Sequence, residues 1–280
     1  MNDALLLVDF NNLFYKFTQL TNLSLSWNGR STSGIYGFTT QLAEQVNAIK
    51  PEYVIVCSDS RPYIRTKLFS GYKSGRNKDV SLELIKDNQF NREKCHEFLD
   101  MIGLPLWVEK GLEADDLISL ACNKYQNKFR RIVISSNDSD LYQLLKSGNV
   151  CIRKKVKNKY ILYSKKNFKE EFGGITTKQY IKYLAIKGTH NSIPGIEGYG
   201  NVKALRAVKD NVLLDDIYSK HREVLELYER IIKLPFTSGN TSIPELKKAV
   251  YNERRVMRFM IDLGIDLTKS MSTAFNRLTE

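Results

Sequence analysis

The chain opens on an unbroken apolar run, Ala4-Leu-Leu-Leu-Val8. Short runs of this kind, with no polar position inside them, belong to strands buried on both faces of a parallel sheet. Tyr53-Val-Ile-Val-Cys57 and Arg131-Ile-Val-Ile-Ser135 repeat the pattern, and Leu104–Val108 gives a shorter version. Between the runs the apolar period lengthens. Ile35, Phe38, Leu42, Val46 and Ile49 recur at helical spacing over Gly34–Ile49, and helices are also predicted over Asn11–Leu20, near Leu82–Ile102 and after Gly111. Pro51 breaks the chain before the second strand. Strands alternating with helices predict right-handed crossovers and a mostly parallel sheet flanked by helices, an α/β fold.

The pattern changes after residue 148. Residues 151–163 read as a basic hairpin turning near Asn158, and Thr177–Ile186 as a helix with Tyr180, Ile181, Leu184 and Ala185 on its apolar face. A loop holding Gly195, Gly198 and Gly200 then leads into a second helix reaching Arg206. Glycines there let backbone amides approach a phosphate closely. The Gly-x-Gly-x-x-Gly pattern is missing, so this is no dinucleotide fingerprint. Residues 212–264 read as supporting helix, broken at Pro235 and Ser238-Gly239-Asn240. The expected division is therefore a core over 1–148 and a second unit over 149–280.

Polar residues at the strand ends carry the candidate chemistry. Parallel strands share one carboxyl edge, and open α/β sheets bind their ligands outside it. The first strand ends in Asp9, the second in Asp59, and the fourth leads into Asp138 and Asp140. Glu113, Asp115 and Asp116 open a helix that follows the third strand and enters from the same edge. Acids also suit a first helical turn for electrostatic reasons alone. Seven carboxylates around one crevice would repel strongly unless a cation sat among them. Oxygen-only ligands point to a hard ion, Mg²⁺ or Mn²⁺, and not to zinc.

Charge and cysteine usage narrow the partners. Residues 1–140 hold 17 lysines and arginines against 17 acids, so the entire net charge of +12 lies in residues 141–280. A basic half joined to a half with clustered acids suits a polyanion carried to an acidic site. Cys57, Cys95, Cys122 and Cys151 form no CxxC pair, and three scattered histidines make no metal site. Reduced thiols, no membrane span and no signal peptide set the expectation of a cytoplasmic protein. After Asp59, the cations Arg61, Arg65, Lys67, Lys73, Arg76 and Lys78 interleave with Tyr63, Phe69 and Tyr72. Such cations can hold a phosphate, and the aromatics can stack on exposed bases.

With these residues in view the chain resembles the 5′-nuclease, or flap endonuclease, family, above all its bacterial and bacteriophage 5′→3′ exonuclease branch. The resemblance rests on Val8-Asp9 with Asn11, Gly34-Ile-Tyr-Gly-Phe38, Asp59-Ser-Arg-Pro with Tyr72-Lys73 and Arg76, Gly111-Leu-Glu-Ala-Asp-Asp116, Asn137-Asp-Ser-Asp-Leu141 and Ile193-Pro-Gly-Ile-Glu-Gly-Tyr-Gly200. It implies a PIN-like core, a helical arch at about 66–105, and a helix–three-turn–helix at about 177–206 on duplex DNA. It implies two metal ions, one held by Asp9, Asp59, Glu113 and Asp115, the other by Asp115, Asp138 and Asp140. Lys73 and Arg76 fall where the family places cations that contact the scissile phosphate, and Tyr72 where an aromatic stacks. Gly195, Gly198, Gly200 and Lys203, with a potassium ion at the loop, are expected on the duplex, together with Arg61 and Arg65.

One departure bears on the second ion. Bacterial members carry Gly-Asp and a further Asp just before Ile-Pro-Gly, whereas this chain has Gly188-Thr189-His190-Asn191-Ser192. A weakened second site follows from that loss of charge. The expected function is a metal-dependent, structure-specific 5′ nuclease of replication or repair. It would act as a monomer on branched or 5′-ended duplex DNA, or on RNA–DNA hybrids and RNA primers, beside replication proteins. The rivals are a DNA-binding protein with impaired catalysis and a PIN-like ribonuclease.

Overall fold

The computed structural model describes residues 2–18, 25–73, 81–157, 159–189, 193–237 and 241–280. Its central sheet comprises β1 (Asn2–Asp9), β4 (Tyr53–Ser58), β5 (Leu106–Val108), β6 (Phe129–Ser135), β7 (Val150–Val156) and β8 (Lys159–Tyr163). The order across the sheet is β5-β4-β1-β6-β7-β8, parallel throughout except for β8, which runs antiparallel to β7. β1 pairs with β4 on one side and β6 on the other, with Val8 level with Val56 and Ser135. The chain therefore reverses its direction of travel across the sheet at β1, and the crevice of such a sheet lies at that point.

The unbroken apolar runs find their explanation in the two faces. Leu5 and Leu7 point to one side with Ile55, Cys57, Ile132 and Ile134, against α4 (Ala114–Tyr125), α6 (Thr177–Lys187) and α8 (Asn211–Ile232). Leu6 and Val8 point to the other with Val54, Val56 and Val133, against α1 (Phe10–Thr18), α2 (Ser33–Ile49) and α3 (Leu82–Met101). Successive strand residues alternate faces, so both faces being covered demands an apolar residue at every position. The α/β, mainly parallel architecture is as the sequence predicts.

Several elements depart from the sequence reading. β7 pairs parallel with β6, so the basic hairpin of β7 and β8 extends the core sheet across the boundary drawn at residue 148. A small hairpin, β2 (Ser26–Trp27) and β3 (Arg30–Ser31), was not foreseen, although Asn28-Gly29 at positive φ is the ordinary signal for a two-residue turn. The predicted helical tail is interrupted. After α8 the described chain is irregular until α9 (Glu253–Ile261), followed by α10 (Lys269–Arg277). That irregular stretch lies across the core: Pro244 and Ile243 accept hydrogen bonds from Tyr125 and Lys124, and the Val250 N–H donates to Ile102. α5 (Lys165–Glu171) precedes α6, and α7 (Asn201–Ala207) follows it.

Of the stretch expected to form an arch, residues 74–80 lie outside the described residues, as does Asn158 in the hairpin turn. α3 leaves that stretch with Leu82 and Ile85 exposed, then buries Phe90, Cys95, Phe98 and Leu99 against the core. No helix of the described residues is long and apolar enough to cross a membrane.

Candidate active site

Three strand ends and one helix start meet at the carboxyl edge. Asp9 closes β1 almost buried; its Oδ1 accepts from the Asn12 N–H at 3.0 Å and its Oδ2 from the Ser136 hydroxyl at 2.9 Å. Asp59, just past β4, accepts from the Ala114 N–H at 2.8 Å and the Tyr63 hydroxyl at 2.9 Å. Asp138 caps the 3₁₀ turn Ser139–Leu144 that follows β6, its Oδ1 accepting from the Asp140 N–H at 2.8 Å. Asp9, Asp59, Glu113, Asp115 and Asp138 line one cavity of about 360 Å³. Glu113, Asp115, Asp138 and Asp140 line a neighbouring one of about 280 Å³, with Thr189, Ile193, Ile231, Ile232 and Leu234 among its other walls. Lys73 reaches both and pairs with Glu113 Oε1.

The triple-acid stretch divides into different jobs. Glu113 Oε2 accepts from Arg65 at 2.9 Å and from the Tyr72 hydroxyl at 2.6 Å. Asp115 lines both cavities. Asp116, expected among the metal ligands, faces away from them. It has no exposed surface, forms a two-pronged pair with Arg65 at 2.6 and 2.7 Å, and accepts from the Glu113 N–H at 3.1 Å. An acid three residues after a helix-capping position is placed to take that backbone donor. Arg65 is the matching correction. Expected on nucleic acid, it is buried at 2% exposure between the two carboxylates. Burial alone would lower its pKa; the hydrogen bonds and charge of Asp116 more than reverse that.

Burial and crowding shape the remaining acids. Asp9 is pushed up to about 7 by burial, then by Asp59 and Asp138, against the Asn12 amide and Ser136 hydroxyl. Asp140 also rises to about 7 through burial and Asp138, opposed by Lys187 and Lys73. Burial raises Asp115 well above the carboxylate range, with Asp138, Asp9 and Glu113 adding to it and Lys73 opposing. These are acids short of positive charge. Among the described residues no three acid, histidine or cysteine side chains are drawn into a closed cage. The arrangement suits a hard cation that keeps several of its waters, so that some of these carboxylates hold it through those waters, which is how Mg²⁺ binds.

The other expected contacts are dispersed around this edge. Arg61 is exposed, its Nε donating to the Tyr63 hydroxyl at 3.3 Å. Tyr72 is half-buried, edge-on to Tyr63, with its hydroxyl committed to Glu113. Arg76, His190, Asn191 and Ser192 lie outside the described residues. Gly198, Gly200 and Lys203 are exposed around the start of α7, and a side chain at Gly198 or Gly200 would meet nothing within 4 Å. Gly195 differs: at φ +77° it packs backbone to backbone, a Cβ there lying 2.5 Å from the Gly188 nitrogen.

Sequence reading overlooked Ser136, which orients Asp9, and took Tyr63 as a base-stacking aromatic, whereas its hydroxyl donates to Asp59. Tyr63 carried a signal, standing four residues after the aspartate within the basic stretch. Lys187, whose charge bears on Asp140, was overlooked as well. It closes α6 immediately before the departing loop.

Comparisons place these features among known proteins. The family model for the 5′-3′ exonuclease N-terminal resolvase-like domain matches residues 4–173. The 5′-3′ exonuclease of Aquifex aeolicus is 30% identical over 250 residues, 82% of this chain and 81% of that one. DNA polymerase I of Caldicellulosiruptor bescii is 29% identical over 285 residues and 92% of this chain, which spans only 32% of the polymerase. The fold is similar to that of the bacteriophage T5 flap endonuclease in a pseudo-enzyme-product complex with DNA and metal ions, at a TM-score of 0.69 and 16% identity over 99% of each chain. With the model matching more than half its length, the chain belongs to the 5′-3′ exonuclease family, and by that membership is a hydrolase of phosphodiesters.

Proposed function

We propose that this 5′ nuclease cuts 5′-ended or branched duplex DNA, or an RNA–DNA hybrid, with Mg²⁺ or Mn²⁺ at the carboxyl edge of its sheet. The observation that carries the reading is the convergence of Asp9, Asp59, Glu113, Asp115, Asp138 and Asp140 on two adjoining cavities, with Lys73 at both. A divalent ion in such a site polarises a phosphoryl oxygen and lowers the pKa of water. Asp9, Asp59, Glu113 and Asp115 are the residues to hold the first ion. Asp115, Asp138 and Asp140 are those for a second, bound more weakly because Thr189 brings no charge where the family has an acid. Lys73 offsets negative charge on the phosphate, and Arg76 joins it by family position.

Duplex is held by the amides of the exposed Gly198 and Gly200 and by Lys203, over the helix–loop–helix at about 177–206, with a potassium ion at the loop. The arch at about 66–105 and the basic hairpin flank this grip. The protein acts as a monomer, in the cytoplasm, alongside the replication machinery.

The test is a 5′-flap duplex incubated with Mg²⁺ or Mn²⁺ and the products mapped. The reading expects metal-dependent cuts near the branch that leave 5′-phosphate and 3′-hydroxyl ends, and their loss in Asp138→Ala. Thr189 favours one rival, a DNA-binding protein with impaired catalysis. Tight flap binding without cleavage under either ion would establish that rival, and a strong preference for unpaired RNA would establish a ribonuclease.

A further inference from the structure

Residues 231–236, the last turn of α8 and the chain just beyond it, read in sequence as mere support. We propose that they form a strap that positions Glu113 for catalysis, with Arg65 as the positioning residue; this rests on the nuclease reading above.

Arg65 is the junction. Its Nε donates to the Ile231 carbonyl at 2.8 Å, Nη1 to Glu113 Oε2 at 2.9 Å and Asp116 Oδ2 at 2.6 Å, and Nη2 to Asp116 Oδ1 at 2.7 Å. Asp116 Oδ1 also accepts from the Phe236 N–H at 2.7 Å, and the Phe236 ring lies 4.8 Å from the guanidinium. The middle of the strap is held by Gln143, which is buried. Its Nε2 donates to the Ile232 carbonyl at 3.1 Å and to the Asp140 carbonyl at 2.8 Å, and its Oε1 accepts from the Leu234 N–H at 2.8 Å. The segment is thus joined to Glu113 through Arg65 and to Asp140 through Gln143.

A guanidinium buried between two carboxylates adds little net stability, because desolvation cancels much of the attraction. What it fixes is geometry. With Arg65 and Tyr72 holding Oε2, Glu113 presents Oε1 toward Lys73 and the cavities. A guanidinium freed from the strap can turn, and Glu113 turns with it. Misplacement of a reacting group by about 1 Å can cost on the order of 10²-fold in rate.

Gln143→Met keeps core volume while cutting the middle of the strap, and Arg65→Lys keeps the charge without the fork. Four quantities are measured below each variant's thermal midpoint: single-turnover cleavage of a 5′-flap at saturating Mg²⁺, flap affinity in Ca²⁺, Mn²⁺ affinity by calorimetry without DNA, and the midpoint itself. The strap predicts cleavage slowed by about 10-fold or more and Mn²⁺ bound several-fold more weakly, with flap affinity within about twofold. Folded variants with wild-type cleavage and wild-type Mn²⁺ affinity would overturn it. A wild-type protein that cleaves no flap, while the variants still lose Mn²⁺ affinity, would retain the strap and reject the nuclease reading.

Discussion

At the scale of single residues, the charge state of the acids is the most testable consequence. Asp9 has its carboxyl raised from 3.8 to about 7 chiefly by burial and secondly by Asp59. The fold therefore holds this proton more tightly than the unfolded chain does. Stability from it is complete below about pH 4 and is lost as pH rises through about 7. In EDTA, the thermal midpoint of the wild type should fall across that window, with Asp140 contributing in the same direction. Asp9→Asn, which mimics the neutral acid, should remain folded at pH 8 and exceed the wild type in stability there by on the order of 2 kcal/mol, while losing cleavage. Calorimetry in EDTA at pH 5 and 8 reads both. Lys73→Ala removes a cation from both cavities, and single-turnover assays should show cleavage slowed by on the order of 10²-fold with flap affinity little changed.

At the scale of elements, the strands and the helices around the glycine loop carry different risks. Gly198, Gly200 and Lys203 are exposed around the start of α7. Lys203→Ala should weaken flap binding and lower the slope of log affinity against log salt by about 1, leaving cleavage at saturating enzyme intact. Gly198 sits at φ +81°, so Gly198→Ala should cost about 1 kcal/mol by thermal melting although the space is open. Legibility divides along the same line. Asp9, Asp59, Asp138 and Asp140 could be placed from sequence because each follows an unbroken apolar strand, and parallel strands end on one edge. Asp116 could not be separated from Asp115 this way. Its partners Arg65 and Phe236 stand 51 and 120 residues away in the chain, and only the packed fold brings them together. The strap escaped notice for the same reason, since backbone carbonyls and amides leave no mark in a sequence.

At the scale of the whole molecule, charge is evenly balanced in residues 1–140 and an excess of 12 positive charges lies in residues 141–280, the distribution expected if the first half cuts and the second holds a polyanion. The division is one of charge and not of architecture, because β7 and β8 continue the core sheet into the basic half. Binding of 5′-flap DNA should accordingly weaken steeply with salt, while the metal requirement of cleavage persists at saturating enzyme. The claim on which the rest depends is that the acids at the carboxyl edge work by holding a divalent ion. It is tested most directly by the single-turnover rate of 5′-flap cleavage as Mg²⁺ is titrated, for the wild type and Asp115→Asn. The wild type should show a saturable rise of on the order of 10³-fold or more above EDTA, and the variant at least about 10²-fold less activity. A wild-type rate indifferent to EDTA, or an Asp115→Asn variant that cuts as fast as the wild type, would contradict it.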